Sequence, residues 1–233
     1  MKPTHAALLI GSPRGASSTS NALATFLGEK LQERGVAIEK VFISRCLGSD
    51  KSREEMFQLV DNSDLIILAF PLYVDSLQSQ VVKTLELIAE HEKGRQPGRK
   101  SFVAISNSGF PEARHNNTAL AVCRIFARQV GYKWAGGLAM GGGGIISGLP
   151  LEKVGGRVRN QTKALEIAAE SLAQGDAIPE KAVTLMSKLG IPRWMYIWMG
   201  NRGWKSEAKK LMDIKKMYNQ PCNEVRANQL GNA

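Results

Sequence analysis

The chain has 233 residues, 43% of them apolar, and carries 31 Lys and Arg against 21 Asp and Glu for a formal net charge of +10. That length supports one well-buried domain with an appendage, and the positive balance favours phosphate-bearing ligands, nucleic acid or anionic surfaces without choosing among them. No segment approaches the roughly 20 apolar residues of a membrane span, and the N-terminal apolar run is too short for a signal peptide.

Cys46, Cys123 and Cys222 are widely spaced with no C-x-x-C, and His5, His91 and His115 show no metal spacing. A disulfide framework and a cysteine-bound metal are not expected, and the cysteine usage fits a reducing, cytoplasmic location.

In chain order, Ala6–Ile10 predicts a short buried strand. It breaks at Gly11 into a loop with Arg14 and four clustered hydroxyls, Ser17, Ser18, Thr19 and Ser20. Leu23, Phe26, Leu27 and Leu31 then mark one face of a helix. Strand, hydroxyl-rich loop and helix N-terminus suit a phosphate: first-turn amides are unpaired, the helix dipole is positive there, and Arg14 adds a charged fork. An ordinary N-cap would need one hydroxyl. Neither G-x-x-x-x-G-K-[ST] nor G-x-G-x-x-G is present, so side-chain capture of a terminal monophosphate is expected.

Val36–Ile43, β-branched and alternating, predicts a second strand, and Arg53–Asp61 a short helix. The solid apolar run Asp64–Phe70 reads as a central parallel strand buried on both faces and ended by Pro71. A helix follows at Ser76–Glu92, with Val81, Val82, Leu85 and Ile88 inward, then a turn at Gly94–Gly98 and a fourth strand at Lys100–Ser106. Asn116–Gly131 predicts a helix, Tyr132–Met140 a fifth strand before the glycines 141–144, and Leu151–Ala173 a long helix. Five strands alternating with five helices predict an α/β fold, a doubly wound parallel sheet with right-handed crossovers.

Ligands of such sheets sit beyond the carboxyl ends of the strands. That rule selects Gly11–Ser20, Pro71–Ser76 and Asn107–Asn117, adjacent in the strand order 2-1-3-4-5. In Pro71-Leu72-Tyr73-Val74 an aromatic stands beside exposed backbone, where it could flank a flat ring; a plain strand end is the alternative. Asn107-Ser108-Gly109-Phe110-Pro111 offers a polar mouth and a glycine for close approach, or a simple turn. A phosphate cradle with two loops for a planar heterocycle describes a flavin mononucleotide (FMN) site. These loops hold no acid–base pair, nucleophile–histidine pair or metal cluster, which fits an enzyme whose cofactor carries the chemistry.

Residues 1–175 read as one domain and 176–233 as a helical, Trp/Lys-rich extension. Trp194, Trp198 and Trp204 fall within eleven positions, followed by Lys205, Lys209, Lys210, Lys215 and Lys216. The leading expectation is packing on the domain or assembly of a homo-oligomer; peripheral membrane contact and an active-site lid are the alternatives. No nucleic-acid motif is present, so no nucleic-acid partner is expected.

Gly11-Ser12-Pro13-Arg14 with Ser18-Thr19-Ser20, and Pro71-Leu72-Tyr73 running into a helix with Lys83, resemble the NAD(P)H-dependent FMN reductase-like branch of the flavodoxin-like proteins over residues 4–175. The resemblance implies that Ser12, Arg14, Ser18, Thr19 and Ser20 hold the FMN phosphate. Pro71, Leu72, Tyr73 and Val74 would line the ring, with Asn107 and Gly109 on its other side. It further implies hydride from NADPH or NADH passing to a small-molecule or protein acceptor: a quinone, flavin, or nitro or azo compound. Only Cys46 stands where related iron–sulfur flavoproteins carry a cysteine cluster, so no cluster is expected. An electron-transfer module without NAD(P)H turnover and a membrane-surface protein of the same fold are the competing readings.

Overall fold

Each of the first four strands leads through helix to the next, so every neighbouring pair in the sheet is parallel. The computed structural model describes residues 1–95 and 100–213; positions 96–98 of the expected turn, Lys215, Lys216 and Cys222 lie outside the described residues. The elements are β1 (His5–Ile10), α1 (Thr19–Gln32), β2 (Ala37–Phe42), α2 (Ile43–Cys46), α3 (Asp50–Asp61), β3 (Leu65–Pro71), α4 (Ser79–Glu92), β4 (Ser101–Asn107), α5 (Asn117–Gln129), β5 (Lys133–Met140), α6 (Leu151–Val154), α7 (Arg159–Ala173), α8 (Glu180–Ser187) and α9 (Arg193–Leu211). The strand order is β2-β1-β3-β4-β5, as expected from the sequence.

The central strands are apolar throughout because both faces are covered. Leu8, Ile10, Leu65 and Ile67 join a core with Leu23, Leu27, Leu165 and Ala168 from α1 and α7. The alternate residues Leu9, Ile66, Leu68 and Phe70 join a second core with Met56, Val81, Leu85 and Phe126 from α3, α4 and α5. The period-two alternation of strand side chains assigns successive residues to opposite layers.

Two expected helices differ in detail. The helix expected from Ser76 begins at Ser79, because Tyr73 and Ser76 pair in a tight hairpin first. The long helix expected over Leu151–Ala173 breaks into α6, a 3-10 turn at Gly155–Val158 and α7. Gly155 takes φ +67°, which no helix continues through.

The chain divides into two compact units, Met1–Ile191 and Pro192–Ala233. The first includes α8, whose Ala182 and Met186 are buried in the α1–α7 core, so it runs beyond the 1–175 span read from the sequence. The second contains α9, in which no residue is buried. Among the described residues no helix is long and apolar enough to cross a membrane.

Candidate functional site

The β1–β3 ladder carries into the first loop, where the Gly11 amide donates to the Ala69 carbonyl at 2.8 Å. A side chain at Gly11 would stand 2.6 Å from Val81 Cγ2, so glycine here lets α4 close on the sheet. The turn then folds on Ser12, whose Oγ accepts from the Arg14 amide at 3.3 Å and whose carbonyl accepts from the Gly15 amide at 3.0 Å. Ser12 is buried and Arg14 exposed at the turn's crest.

Ser18 caps α1: its Oγ accepts from the Asn21 amide at 3.1 Å and donates to the Gly15 carbonyl at 2.7 Å. Thr19 Oγ1 donates to the Gly143 carbonyl at 2.9 Å, and Ser20 Oγ accepts from Asn107 Nδ2 at 2.8 Å. The three hydroxyls are thus partnered within the protein and brace the loop's shape. Ser12 and Ser20 keep their hydroxyl protons in this arrangement. The donors left for an anion are the Arg14 guanidinium and the Thr19 and Ser20 amides, the Asn21 amide being taken by Ser18.

The segment after β5 supplies a wall that sequence reasoning left without a role. It returns to the first loop at Gly148, which has φ +80° and would place a Cβ 2.2 Å from the Ser17 carbonyl oxygen. The Gly143 amide donates to the Ser108 carbonyl at 2.8 Å and the Gly142 amide to the Phe110 carbonyl at 2.7 Å. Residues 141–148 therefore tie the first loop to the loop after β4. The run of four glycines was the one available signal, since such a run marks close backbone approach.

In the second loop the Leu72 amide donates to the Asn107 carbonyl at 2.8 Å, and Tyr73 and Ser76 exchange backbone bonds of 3.0 and 3.1 Å. Val74 (φ +47°) and Asp75 (φ +58°) form the tip. Positive φ at both central residues is the type I′ arrangement, which favours Asn-Gly and is strained for a β-branched residue. Val74 is fully exposed and Tyr73 46% exposed, so the strain holds an apolar tip and an aromatic out beside the strand ends. Gln78, buried just after the hairpin, has a side-chain nitrogen with no partner.

The third loop is pinned by buried Asn116, which accepts from Ser106 Oγ at 2.7 Å and donates to the Ala113 and Met140 carbonyls at 3.0 and 3.2 Å. Asn107 is buried, and its side-chain nitrogen also donates to the Phe70 carbonyl at 3.0 Å. Its amide thus locks the ends of β3 and β4 to α1. Gly109 is exposed with open space where a side chain would lie. Phe110 packs on the His115 ring at 4.6 Å between centroids, and His115 Nδ1 lies 3.7 Å from Asp75, joining the second and third loops.

The strongest ionic cluster lies at the opposite, amino-end side of the sheet. Glu92 takes Lys100 Nζ at 2.9 Å and the Tyr132 hydroxyl, while Arg95 and His91 converge on Asp61. Burial acts to raise both carboxyls. Hydrogen bonds from Lys100 and Tyr132 to Glu92, and from Arg95 and His91 to Asp61, outweigh it and hold both below the ordinary range. Burial pushes the Cys123 thiol up to about 12, leaving it inert at neutral pH. Among the described residues no group of three or more His, Cys, Asp and Glu could hold a metal ion.

No protein-family model matches the sequence, and no curated protein matches it. Solved structures do. A flavodoxin of Streptococcus pneumonia TIGR4 is 16% identical, with a TM-score of 0.50 over 73% of this chain and 99% of that one. The fold is flavodoxin-like.

Two further structures share this flavodoxin-like fold. An FMN-dependent NADH-azoreductase from Bacillus anthracis, solved in complex with FMN, is 14% identical, with a TM-score of 0.51 over 73% of this chain and 99% of that one. A flavone reductase is 12% identical, with a TM-score of 0.53 over 97% of both chains. The chain spans only 36% of a rubredoxin oxygen:oxidoreductase from Desulfovibrio gigas that it also matches, at 12% identity and a TM-score of 0.52. Identities this low establish fold, and at that level they agree with the resemblance drawn from the sequence.

Within the flavodoxin-like frame the three expected loops do converge. Arg14, Tyr73, Val74 and Gly109 are exposed at the carboxyl ends, with Pro71 and Leu72 half-buried beneath them. Ser12, Ser18, Thr19, Ser20 and Asn107 are buried and support these loops.

Proposed function

We propose that this chain is an FMN-dependent oxidoreductase that takes hydride from NADPH or NADH and passes electrons to a quinone, flavin, nitro or azo compound, or a protein acceptor. The carrying observation is the convergence of three loops at the carboxyl ends of β1, β3 and β4, with exposed Arg14 in the turn that leads into Ser18, the N-cap of a 14-residue helix. The reductases sharing the fold, one of them solved with FMN, support the same reading.

Bound FMN would supply the redox-active ring. The protein's own residues bind and orient it. The Arg14 guanidinium and the first-turn amides of α1 hold the phosphate, with Ser12 at the base of the turn. Ser18, Thr19 and Ser20 fix the loop's shape around it. Tyr73 and Val74 border the ring, the backbone beyond Asn107 closes the other side, and Gly109 leaves room for backbone to approach. The Leu72 and Tyr73 amides are already taken within the protein, so the amides of the Val74–Asp75 tip are the donors this loop offers ring heteroatoms. A reducing, cytoplasmic setting suits a chain whose described cysteines, Cys46 and Cys123, are unpaired.

Titration with FMN tests this. Wild type should bind FMN far more tightly than riboflavin, which lacks the phosphate. Arg14→Ala should weaken FMN about ten- to hundredfold, the loss of a charge-assisted hydrogen bond of roughly 1.5–3 kcal/mol, and leave riboflavin unchanged. Equal FMN affinity in the two proteins would remove the phosphate assignment.

A further inference from the structure

The helix α9 presents large aromatic side chains to solvent: Trp194 is 70%, Trp198 57% and Trp204 74% exposed. A monomeric soluble surface rarely leaves such a group uncovered. At 3.6 residues per turn, Trp194, Ile197, Trp198, Trp204 and Leu211 fall on one side of α9. Arg202 and Lys209 border that side, Lys205 falls within it between Trp194 and Trp198, and Arg202 lies over the Trp198 ring at 5.8 Å. Trp198, Arg202, Lys205 and Lys209 share one surface groove. The helix holds five Arg and Lys against one Glu, in a chain of net charge +10.

Tryptophans on one helix face, with cations among and beside them whose long stems can lift the charge to the lipid phosphates, are the chemistry of a helix lying in a bilayer's headgroup region. Indole rings seat there with apolar body and polar N–H both satisfied. A protein interface would disfavour Lys205 and Lys209 beside these rings, since Lys is depleted where Trp, Met and Arg are enriched. The helix is too polar to span. We infer that α9 is an interfacial anchor that seats the protein on anionic lipid surfaces, with Trp194, Trp198 and Trp204 entering the headgroup layer and Arg202, Lys205 and Lys209 meeting lipid phosphates. This role is independent of the flavin reading and would bring a reductase to lipid-dissolved acceptors.

The test is sedimentation of the full-length protein with sucrose-loaded vesicles, of phosphatidylcholine alone or with about a third phosphatidylglycerol. The protein should pellet with the anionic vesicles, bind the neutral ones far less, and release in high salt. Its tryptophan emission should shift to the blue on binding. Each of Lys205→Gln and Lys209→Gln should weaken binding roughly fivefold. Trp194→Ser with Trp198→Ser should weaken it tenfold or more, without changing the far-ultraviolet spectrum or melting temperature of the first compact unit. No pelleting, or equal pelleting with both vesicles, overturns the inference. So does a solution mass that falls from dimer to monomer on the double tryptophan change with no vesicle binding, which would make α9 a contact between copies.

Discussion

Gly148 is the contact through which the segment after β5 closes on the first loop, and replacing it separates two costs. A Cβ at this position would sit 2.2 Å from the Ser17 oxygen and 2.4 Å from the Ser17 carbonyl carbon, on a residue with φ +80°. Both obstacles are backbone, so no side chain can swing aside. Left-handed backbone costs an alanine about 1–2 kcal/mol. Forcing the loop apart adds about 1–3 kcal/mol. Gly148→Ala should thus destabilise by about 2–5 kcal/mol, lowering the melting temperature roughly 4–20 °C at this chain length.

Gly35, with φ +83° and nothing within 4 Å, carries the first cost alone. Gly35→Ala should therefore lower the melting temperature by only roughly 2–8 °C. Gly156 has neither constraint, and Gly156→Ala should be neutral. Thermal melts of the three variants, followed by FMN titration, make the comparison. FMN affinity should drop for Gly148→Ala only, because only that change displaces the Ser17–Ser18 backbone. Equal melting of the Gly148 and Gly35 variants, with FMN binding intact in both, would refute the packing of residues 141–148 against the first loop.

Tyr73→Ala should shift the absorption or fluorescence of bound flavin, an aromatic contact being worth about 0.5–1.5 kcal/mol beyond area burial; an unchanged spectrum would place Tyr73 away from the ring. Asp61 and Glu92 have lowered folded pKa values, so the stability they contribute is complete above the ordinary carboxylate range near ~4 and lost as pH falls through their lower folded values. Glu92→Gln should accordingly destabilise at neutral pH and shallow the acid limb of a melting-temperature profile, and an unaltered limb would count against the cluster's role. Truncation after Ile191 should preserve the melting temperature of the first unit, whereas truncation after Gln174 strips Ala182 and Met186 from the core and should lower it. Equal melting of the two truncations would deny α8 its place in that unit.

The sheet was legible because its signals are local. A strand covered on both faces must be apolar at every position, as Leu65–Phe70 is, and the helices between strands repeat their apolar residues at 3.6-residue spacing. The candidate site was read from the strand order together with the residues of the three loops. What stayed hidden is long-range pairing. Thr19 spends its proton on Gly143, and Asn107 spends its amide on Ser20 and Phe70, partners no local pattern announces. Hydroxyls that read as ligands can equally be braces, and only the folded contacts distinguish the two. The Tyr73–Ser76 hairpin was hidden for another reason. Its tip is Val-Asp, where turn chemistry would ask for Asn-Gly, so local propensity pointed away from the conformation adopted. Such a mismatch between local preference and fold is where functional sites concentrate.

One spectrum decides whether this flavodoxin-like chain is the nicotinamide-driven FMN reductase proposed above. FMN-loaded protein, free of oxygen, is mixed with NADPH and, separately, with NADH while the visible flavin band is followed. Bleaching by at least one nicotinamide, with the band restored on adding a quinone or an azo compound, is the predicted result. A bound flavin whose band neither nicotinamide changes, or a protein that takes up no FMN, would contradict it.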